Sequence, residues 1–145
     1  MFNLLTNNWF SMHEWALAEA VLSAVSEIVA REQLDEVTEI NISIGELQDV
    51  EREIFKFALN QMKPARFEKT RFRITRAKTL LKCRNCGNEW QLKNQKINAT
   101  QKEAIHFVPE VAHTYIKCSR CASPDFEITQ GRGIWIRNIK GARKT

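Results

Sequence analysis

Two stretches, Cys83-Arg84-Asn85-Cys86 and Cys118-Ser119-Arg120-Cys121, hold all four cysteines of the chain. Each is a C-x-x-C pair, in which two thiolates on one tight turn can bind a metal ion from the same side. Gly87 follows the first pair, where a left-handed backbone conformation is often required, and Ala122 takes the same place after the second. Two such pairs complete the tetrahedron of sulfurs that zinc takes in structural sites. We therefore predict a zinc site formed by Cys83, Cys86, Cys118 and Cys121.

Four cysteines can also form disulfides or a redox pair. Disulfides suit a secreted chain, but Met1 to Ser11 lacks the basic segment and long apolar run of a signal peptide. A redox C-x-x-C needs only one pair and normally lies in a βαβ unit. Zinc held by four protein ligands has no open position for a substrate, so we expect this site to be structural and not catalytic.

Length and hydropathy limit the class of protein. The chain has 145 residues, enough for one compact domain and a smaller one held together by a metal ion. No apolar run approaches the ~20 residues that a membrane span requires. We expect no membrane contact, and the cytoplasm is the expected compartment.

The net charge of +5 is unevenly distributed along the chain. Residues 12–53 hold eleven acidic side chains against two basic ones, whereas residues 54–81 hold eight basic side chains against one acidic. Such segregation occurs in proteins that bind nucleic acid or an acidic partner. It also arises when Arg71, Arg73 and Arg76 form the solvent face of a strand and the basic end of the chain is solvated, which is the interpretation we favour.

The apolar pattern predicts two helices and three strands outside the cysteine-rich region. Residues 14–31 show helical spacing, with Ser11 as N-cap and Glu14 completing a capping box. A second helix is expected after Asp49 as its N-cap and is expected to end before Pro64. Alternation predicts strands at residues 39–44, 70–75 and 134–139, and a short ribbon strand at 126–128. The resulting order predicts an α+β fold in which the cysteine-rich segment is an insertion before the last strand.

His13 lies between Met12 and Glu14 at the start of the first predicted helix. A lone surface histidine at such a place usually has no ligand role. A free α-amine at Met12, however, would join the imidazole and nearby backbone nitrogens in a planar set that suits Ni(II) or Cu(II). The residues before Met12 turn this amine into a peptide nitrogen, a far poorer ligand. The site therefore depends on whether translation starts at Met1 or at Met12.

Two further histidines, His106 and His113, flank Phe107-Val108-Pro109-Glu110 in the cysteine-rich insertion. Each is either an additional metal ligand or a histidine whose hydrogen bonds are satisfied within the ribbon. From the residues alone, a structural or exposed role is the expectation for both.

Several motifs occur together in this chain: the opening Met12-His13-Glu14-Trp15-Ala16-Leu17-Ala18, the junction Ile44-Gly45-Glu46-Leu47-Gln48-Asp49-Val50, the two C-x-x-C pairs and the closing Gly131-Arg132-Gly133. In this combination the chain resembles the HypA/HybF family, the nickel metallochaperones of [NiFe]-hydrogenase maturation. The insertion with Ile105-His106-Phe107-Val108-Pro109-Glu110 resembles the archaeal branch of that family. The resemblance extends from residue 12 to about residue 139.

The resemblance implies an α+β protein with a small two-helix, three-stranded-sheet nickel-binding domain and an inserted zinc-ribbon domain. The nickel-binding domain would comprise residues 12–81 and 131–140, and the zinc ribbon residues 82–130. Residues 1–11 would then be an N-terminal extension and residues 141–145 a basic tail. A homodimer that exchanges zinc domains is compatible with so long an insertion.

The resemblance also implies transfer of Ni(II) as cargo, with zinc as the structural cofactor and no enzymatic turnover. Nickel would be held by Met12, His13 and Glu14 through the amine, the imidazole and backbone nitrogens, with His106 as an auxiliary ligand. A HypB-type GTPase and the large subunit of [NiFe]-hydrogenase are the implied partners. Because only a neutral imidazole binds metal, nickel affinity is expected to fall in acid.

Two other classes of function compete with this one. A zinc-ribbon nucleic-acid-binding protein would use basic side chains and stacking aromatics. The candidates are Lys82, Arg84, Lys93, Lys96 and the basic tail, with Trp90, Phe107 and Tyr115 for stacking. A zinc enzyme is the weakest alternative, because all four cysteines are used and no H-E-x-x-H or H-x-E signature is present.

Overall fold

The computed structural model describes the backbone of residues 2–144 and the side chains from His13 to Lys144. Its helices are α1 (Phe2–Arg31), α2 (Arg52–Met62), α3 (Ala99–Phe107) and α4 (Ala112–Tyr115). Its strands are β1 (Glu36–Gly45), β2 (Arg71–Ala77), β3 (Leu80–Cys83), β4 (Glu89–Gln91), β5 (Phe126–Gln130) and β6 (Ile134–Ala142). Short 3-10 turns lie at Ala65–Phe67, Leu92–Asn94 and Pro109–Val111. The predicted α+β fold class is confirmed.

The chain divides into two compact units. The first contains the residues up to 43, residues 50–75 and those from 135 on, and the second contains residues 44–49 and 76–134. The strands form two three-stranded sheets, in the orders β2-β1-β6 and β4-β3-β5. None of the helices in the described part of the chain combines the length and the hydropathy that crossing a bilayer demands.

Helix α1 begins earlier than the sequence pattern indicates. It runs from Phe2, so that Ser11 and His13 lie inside the helix and Ser11 is not at the predicted N-cap position. Glu14 Oε1 instead accepts a hydrogen bond of 3.0 Å from the backbone N–H of Glu51. The prediction was wrong because a side-chain cap stabilises a helix end by only about 1 kcal/mol, so a local cap signal does not by itself end a helix.

Helix α2 begins at Arg52, and Glu51 is its N-cap residue. The Glu51 side chain accepts no hydrogen bond from the backbone N–H groups of the first turn. The prediction of Asp49 as the N-cap residue was wrong, because the helix starts two residues later than that cap requires. The helix ends at Met62, before Pro64, as predicted. A proline cannot supply the N–H that the next helical turn would need.

The core of the first unit uses the apolar face of each helix and of the sheet. Helices α1 and α2 pack against each other. In the central strand β1, Ile40, Ile42 and Ile44 are fully buried, as the predicted alternation requires, but Ser43 is buried too, so the strand is not half-exposed at its end. The other buried side chains include Ala18, Val21, Leu22, Val25 and Val29 of α1, Phe55, Ala58 and Leu59 of α2, and Phe72 and Ile74 of β2.

Charged side chains join neighbouring strands on the sheet of the first unit. Glu39 on β1 accepts a hydrogen bond from Lys140 Nζ at 2.9 Å and lies 3.7 Å from the Arg73 guanidinium. Arg71 and Arg73 are exposed, as expected for the solvent face of a strand. Strand β6 runs on to Ala142, beyond the predicted end of the strand.

The chain after β6 contacts the turn between α1 and β1. Arg143 Nε donates to the Glu32 carbonyl at 2.7 Å, and Lys144 N–H donates to the Asp35 carboxylate at 2.6 Å. These contacts tie Arg143 and Lys144 to the turn, while both residues remain exposed, as expected for a solvated basic end.

The second unit is built around an antiparallel sheet in which β3 pairs with both β4 and β5. The ribbon strand predicted at residues 126–128 is confirmed as part of β5. Helix α3 begins with a capping box in which Asn98 and Gln101 each accept the backbone N–H of the other. One cluster of buried side chains fills the unit: Leu47, Leu81, Cys83, Trp90, Leu92, Ile105, Ala112, Ile116, Cys118 and Phe126.

Candidate metal centres

The two C-x-x-C pairs lie on turns with the same backbone hydrogen bonds. In each turn the N–H of the first cysteine, Cys83 or Cys118, donates to the carbonyl five residues on, at 2.8 Å in both cases. The N–H four residues on returns to the carbonyl of that cysteine, at 3.0 Å in the first turn and 2.9 Å in the second. The repeated pattern gives two matching knuckles, each presenting two sulfurs.

The residue after each pair has the left-handed conformation that the sequence predicts. Gly87 has a φ of 77° and Ala122 a φ of 62°. Glycine adopts this conformation without steric penalty, whereas an alanine Cβ approaches the following carbonyl oxygen at a cost of roughly 1–2 kcal/mol. The second knuckle therefore carries strain that the first one lacks.

The four sulfurs form one group, with every pair within 4.8 Å. The Cys83 and Cys121 Sγ atoms are 3.5 Å apart, and those of Cys86 and Cys118 are 3.6 Å apart. These distances exclude disulfides, which need about 2.05 Å. They lie close to the ~3.8 Å between sulfurs arranged tetrahedrally around zinc at Zn–S ≈ 2.3 Å. The cluster therefore fits a structural tetrathiolate zinc site, which when filled cross-links the two knuckles and leaves no open coordination position.

Hydrogen bonds to the Cys118 and Cys121 sulfurs favour the thiolate form that zinc requires. At Cys86 the backbone N–H of Asn88 lowers the pKa, but burial and the neighbouring cysteines outweigh it and raise the pKa to about 11. Burial raises the pKa of the Cys118 thiol, but donation from the backbone N–H groups of Cys121 (3.5 Å) and Arg120 (3.4 Å) and from the Asn88 amide outweighs it and brings the pKa to about 6. The Asn85 amide, 3.5 Å from Cys121 Sγ, lowers the pKa of Cys121.

Both asparagines belong to the first knuckle and donate to sulfurs of the second. Asn85 stands inside the first C-x-x-C pair and Asn88 follows Gly87. The sequence analysis missed this role, because an asparagine in a turn is common for conformational reasons alone. The sequence signal for this role was the presence of two asparagines, Asn85 and Asn88, within the six residues 83–88.

Neither histidine of the insertion joins the four-cysteine group in the described part of the chain. His106 Nδ1 donates to the Leu47 carbonyl at 3.0 Å, and His113 Nδ1 donates to the Pro124 carbonyl at 2.8 Å. A carbonyl accepts only, so both rings carry hydrogen on Nδ1, and a neutral ring then presents the lone pair of Nε2. This is the arrangement typical of a metal-binding histidine, but a bond of this kind also satisfies a purely structural one.

The Met12-His13-Glu14 segment lies inside α1. The Met12 side chain is outside the described part of the structure, His13 is exposed, and Glu14 is only 5% exposed. Inside a helix the backbone N–H groups donate to carbonyls four residues earlier, so these nitrogens are engaged. Among the described side chains, no second group of three or more His, Cys, Asp or Glu ligand atoms gathers here.

Two of the glycine-containing motifs meet within the second unit. Gly45 N–H donates to the Gly133 carbonyl at 2.8 Å, and Leu47 N–H donates to the Gly131 carbonyl at 3.0 Å. A Cβ atom on Gly45 would collide with the Gly131 carbonyl, so the close approach of the two backbones requires glycine there. The junction motif and the closing Gly-Arg-Gly motif therefore form one structural feature.

Some residues considered for nucleic-acid binding are engaged elsewhere. Arg84 pairs with Asp125 at 3.1 Å. Trp90 is 8% exposed and packs edge-on against Phe126, with ring centroids 5.7 Å apart, so the suggestion that it stacks on bases was wrong. Phe107 and Tyr115 are exposed.

The fold and the cysteine cluster define a class, that of α+β proteins with a closed tetrathiolate zinc site in an inserted ribbon. A family model described as "Hydrogenase/urease nickel incorporation, metallochaperone, hypA" matches residues 12–141. The chain belongs to this HypA family, which confirms the resemblance noted in the sequence, and the family is one of metallochaperones.

Named relatives agree with this assignment. The hydrogenase maturation factor HypA of Thermococcus sibiricus is 45% identical over 132 residues, covering 89% of this chain and 96% of the relative. That of Pyrococcus horikoshii is 42% identical over 132 residues, covering 89% and 95%. The solution structure of the Ni metallochaperone HypA from Helicobacter pylori is similar in fold, with a TM-score of 0.60 at 17% identity, over 90% of this chain and 98% of that one.

Proposed function

We propose that the chain binds Ni(II) and delivers it to the large subunit of [NiFe]-hydrogenase, acting with a HypB-type GTPase. The observation that carries this proposal is the family match, which begins at Met12 and therefore includes the Met-His-Glu segment. The relatives named as hydrogenase maturation factors support hydrogenase as the recipient. A cysteine cluster without an open ligand position supports a binding role and no turnover.

The proposed nickel ligands are Met12, His13 and Glu14, with His106 as an auxiliary ligand. The first four N–H groups of a helix have no partner within the helix. In a chain that starts at Met12, the terminal amine and the N–H groups of His13 and Glu14 belong to this unpaired set. Together with the His13 imidazole they supply the nitrogens of a tetragonal nickel site. When residues 2–11 continue the helix, the same nitrogens are engaged.

The proposal assigns nickel binding and zinc binding to different segments of the chain. Residues 12–81 and 131–140 form the nickel-binding domain, and residues 82–130 form the zinc ribbon that positions His106. The cysteine sulfurs lie too far apart for disulfides, and the reduced state that a zinc site needs is one that a reducing compartment maintains, which supports the cytoplasm as the place of action.

The test is a calorimetric Ni(II) titration of zinc-loaded protein in two forms, one starting at Met1 and one at Met12. We expect the Met12 form to bind at least tenfold more tightly, because a peptide nitrogen is a far poorer ligand than an amine. Failure of both forms to bind nickel would contradict the proposal. Salt-dependent binding of DNA or RNA by the same samples would then favour the nucleic-acid alternative.

A further inference from the structure

We infer that Glu14 is a positioning residue for nickel: its carboxyl group fixes the start of α1 against the start of α2, holds His13 in place, and is not itself a nickel ligand. The inference rests on the proposed function and deepens it. It assigns to the third residue of the Met-His-Glu segment a side-chain role that is separate from its backbone nitrogen.

The contact that carries this role joins two helices of the first unit. Glu14 Oε1 accepts the backbone N–H of Glu51 at 3.0 Å, across 37 residues of sequence. Glu51 is the N-cap residue of α2, and its own side chain makes no capping bond. Glu14 therefore satisfies a backbone donor at the helix start that local sequence leaves without a cap.

The position of this contact along α1 makes it relevant to His13. In the described part of α1, burial begins at Glu14, directly after the exposed His13. Trp15 is half-buried and meets the ring of Phe57 edge-on, with centroids 6.1 Å apart. The first fully buried apolar residue is Ala18, one turn further on. The Glu14 bond and the Trp15 ring contact therefore tie the part of α1 directly after His13 to α2, and the Glu14 bond is the one next to the imidazole.

The second carboxyl oxygen of Glu14 is enclosed by the protein as well. Glu14 Oε2 is buried and accepts no hydrogen bond from the described residues. Both oxygens are enclosed while His13 is exposed, so binding nickel beside the imidazole would require the carboxyl group to leave this site.

The decisive variant is Glu51→Pro, which deletes the donated N–H and leaves α1 unchanged. The φ of −75° at Glu51 is one that proline adopts. Glu51→Ala is the matched control, because it removes the same side chain but keeps the N–H. In the form of the zinc-loaded chain that binds nickel in the titration above, we expect Glu51→Pro to weaken nickel binding about tenfold, the scale of lost outer-shell contacts. Glu51→Ala should bind within about twofold of the unmodified chain.

Two substitutions of Glu14 separate positioning from ligation. Glu14→Ala should match Glu51→Pro in nickel affinity, and Glu14→Gln, which keeps an acceptor oxygen for the Glu51 N–H, should restore most of it. The absorption spectrum of the nickel-saturated protein should be the same in all of these variants, because the ligand set is unchanged. Hydrogen exchange at the Glu51 amide should accelerate in Glu14→Ala.

Ala58→Gly is the control for a general loss of stability. It weakens the middle of α2 and leaves the Glu14–Glu51 hydrogen bond in place. Nickel affinity lowered as much by Ala58→Gly as by Glu51→Pro overturns the inference. So does unchanged affinity in Glu51→Pro, and so does a nickel spectrum altered by Glu14→Gln, which would identify the carboxyl group as a ligand. If the unmodified chain binds no nickel in either form, the proposed function fails and the inference fails with it.

Discussion

The cysteine cluster and the proposed nickel segment, Met12-His13-Glu14, differ in how much of each site the fold fixes. The cysteine cluster has four ligands on two hydrogen-bonded knuckles, and two of its sulfurs belong to a buried core. The Met-His-Glu segment has one exposed imidazole on a helix, next to a single buried carboxyl group. A closed, preformed site retains its metal, whereas an exposed site built from successive residues can lose its ligands one at a time. The difference fits a protein that keeps zinc and passes nickel on.

Removing one zinc ligand should have the largest effect. We expect Cys118→Ser to lose stoichiometric zinc and the ordered core of the second unit, because Cys118 is a member of that core and the binding energy of structural zinc, roughly 10–16 kcal/mol, is also folding energy. Zinc content and amide spectra measure the effect, and the core of the first unit should persist. Arg120→Ala keeps the backbone N–H that bonds the sulfur and should retain zinc. A zinc-loaded Cys118→Ser protein would show that the knuckles do not depend on each ligand.

Changing the proposed nickel segment should instead affect nickel binding and leave zinc in place. His13→Ala should lower nickel affinity about 100-fold or more, equivalent to about 2.7 kcal/mol, because it removes the imidazole, while zinc content and melting temperature stay the same. Calorimetric titration with nickel and zinc analysis of the same sample provide the measurement. His113→Ala, on the ribbon, is the histidine control and should leave nickel affinity unchanged. Loss of zinc from His13→Ala would contradict the independence of the two sites.

The zinc site could be predicted from the sequence because its geometry is set by residues close together in the chain. C-x-x-C spacing places two sulfurs on one turn, and the following position requires a positive φ whatever the rest of the fold does. The alternation of Ile40 and Ile42 was equally informative, because a strand with one buried face repeats every second residue.

The surroundings of the proposed nickel ligands were harder to predict because their contacts are distant in sequence. The bond from Glu51 to Glu14 spans 37 residues, and that from His106 to Leu47 spans 59. The Ser-x-x-Glu pattern predicted that Glu14 would take part in a capping box with Ser11. In the structure its carboxylate accepts the distant Glu51 N–H. A hydrogen bond of similar strength is available in either place, so local pattern alone does not decide between them.

The two knuckles can be compared through the residue that follows each pair. Ala122→Gly should stabilise the zinc-loaded protein by about 1 kcal/mol, because glycine removes the strain of a φ of 62°. Gly87→Ala should destabilise it by a similar amount, because a Cβ there meets no neighbouring atom and only the backbone penalty remains. Denaturant midpoints measure both changes. Equal midpoints for the two variants would show that the backbone strain is relieved elsewhere in the turn.

The smallest effect is expected in the first unit, at Glu39. A hydrogen bond from Lys140, a second from Asn41 and the charges of Lys140 and Arg73 lower the pKa of the Glu39 carboxylate in the folded protein. A lowered pKa means that its stabilising contribution is present above ~4.3, the ordinary value for glutamate, and is lost as the pH falls through the folded value.

Glu39→Gln should therefore lower the denaturant midpoint slightly at pH 7, by less than Gly87→Ala does, and the difference should vanish near pH 2. Glu36→Gln, an exposed position on the same strand, controls for the loss of one negative charge and should produce a smaller change. A difference that persists in acid would mean that Glu39 stabilises the sheet through packing. Glu39 would then resemble Cys83 and Cys118 of the zinc ribbon, which are both proposed ligands and members of the buried core.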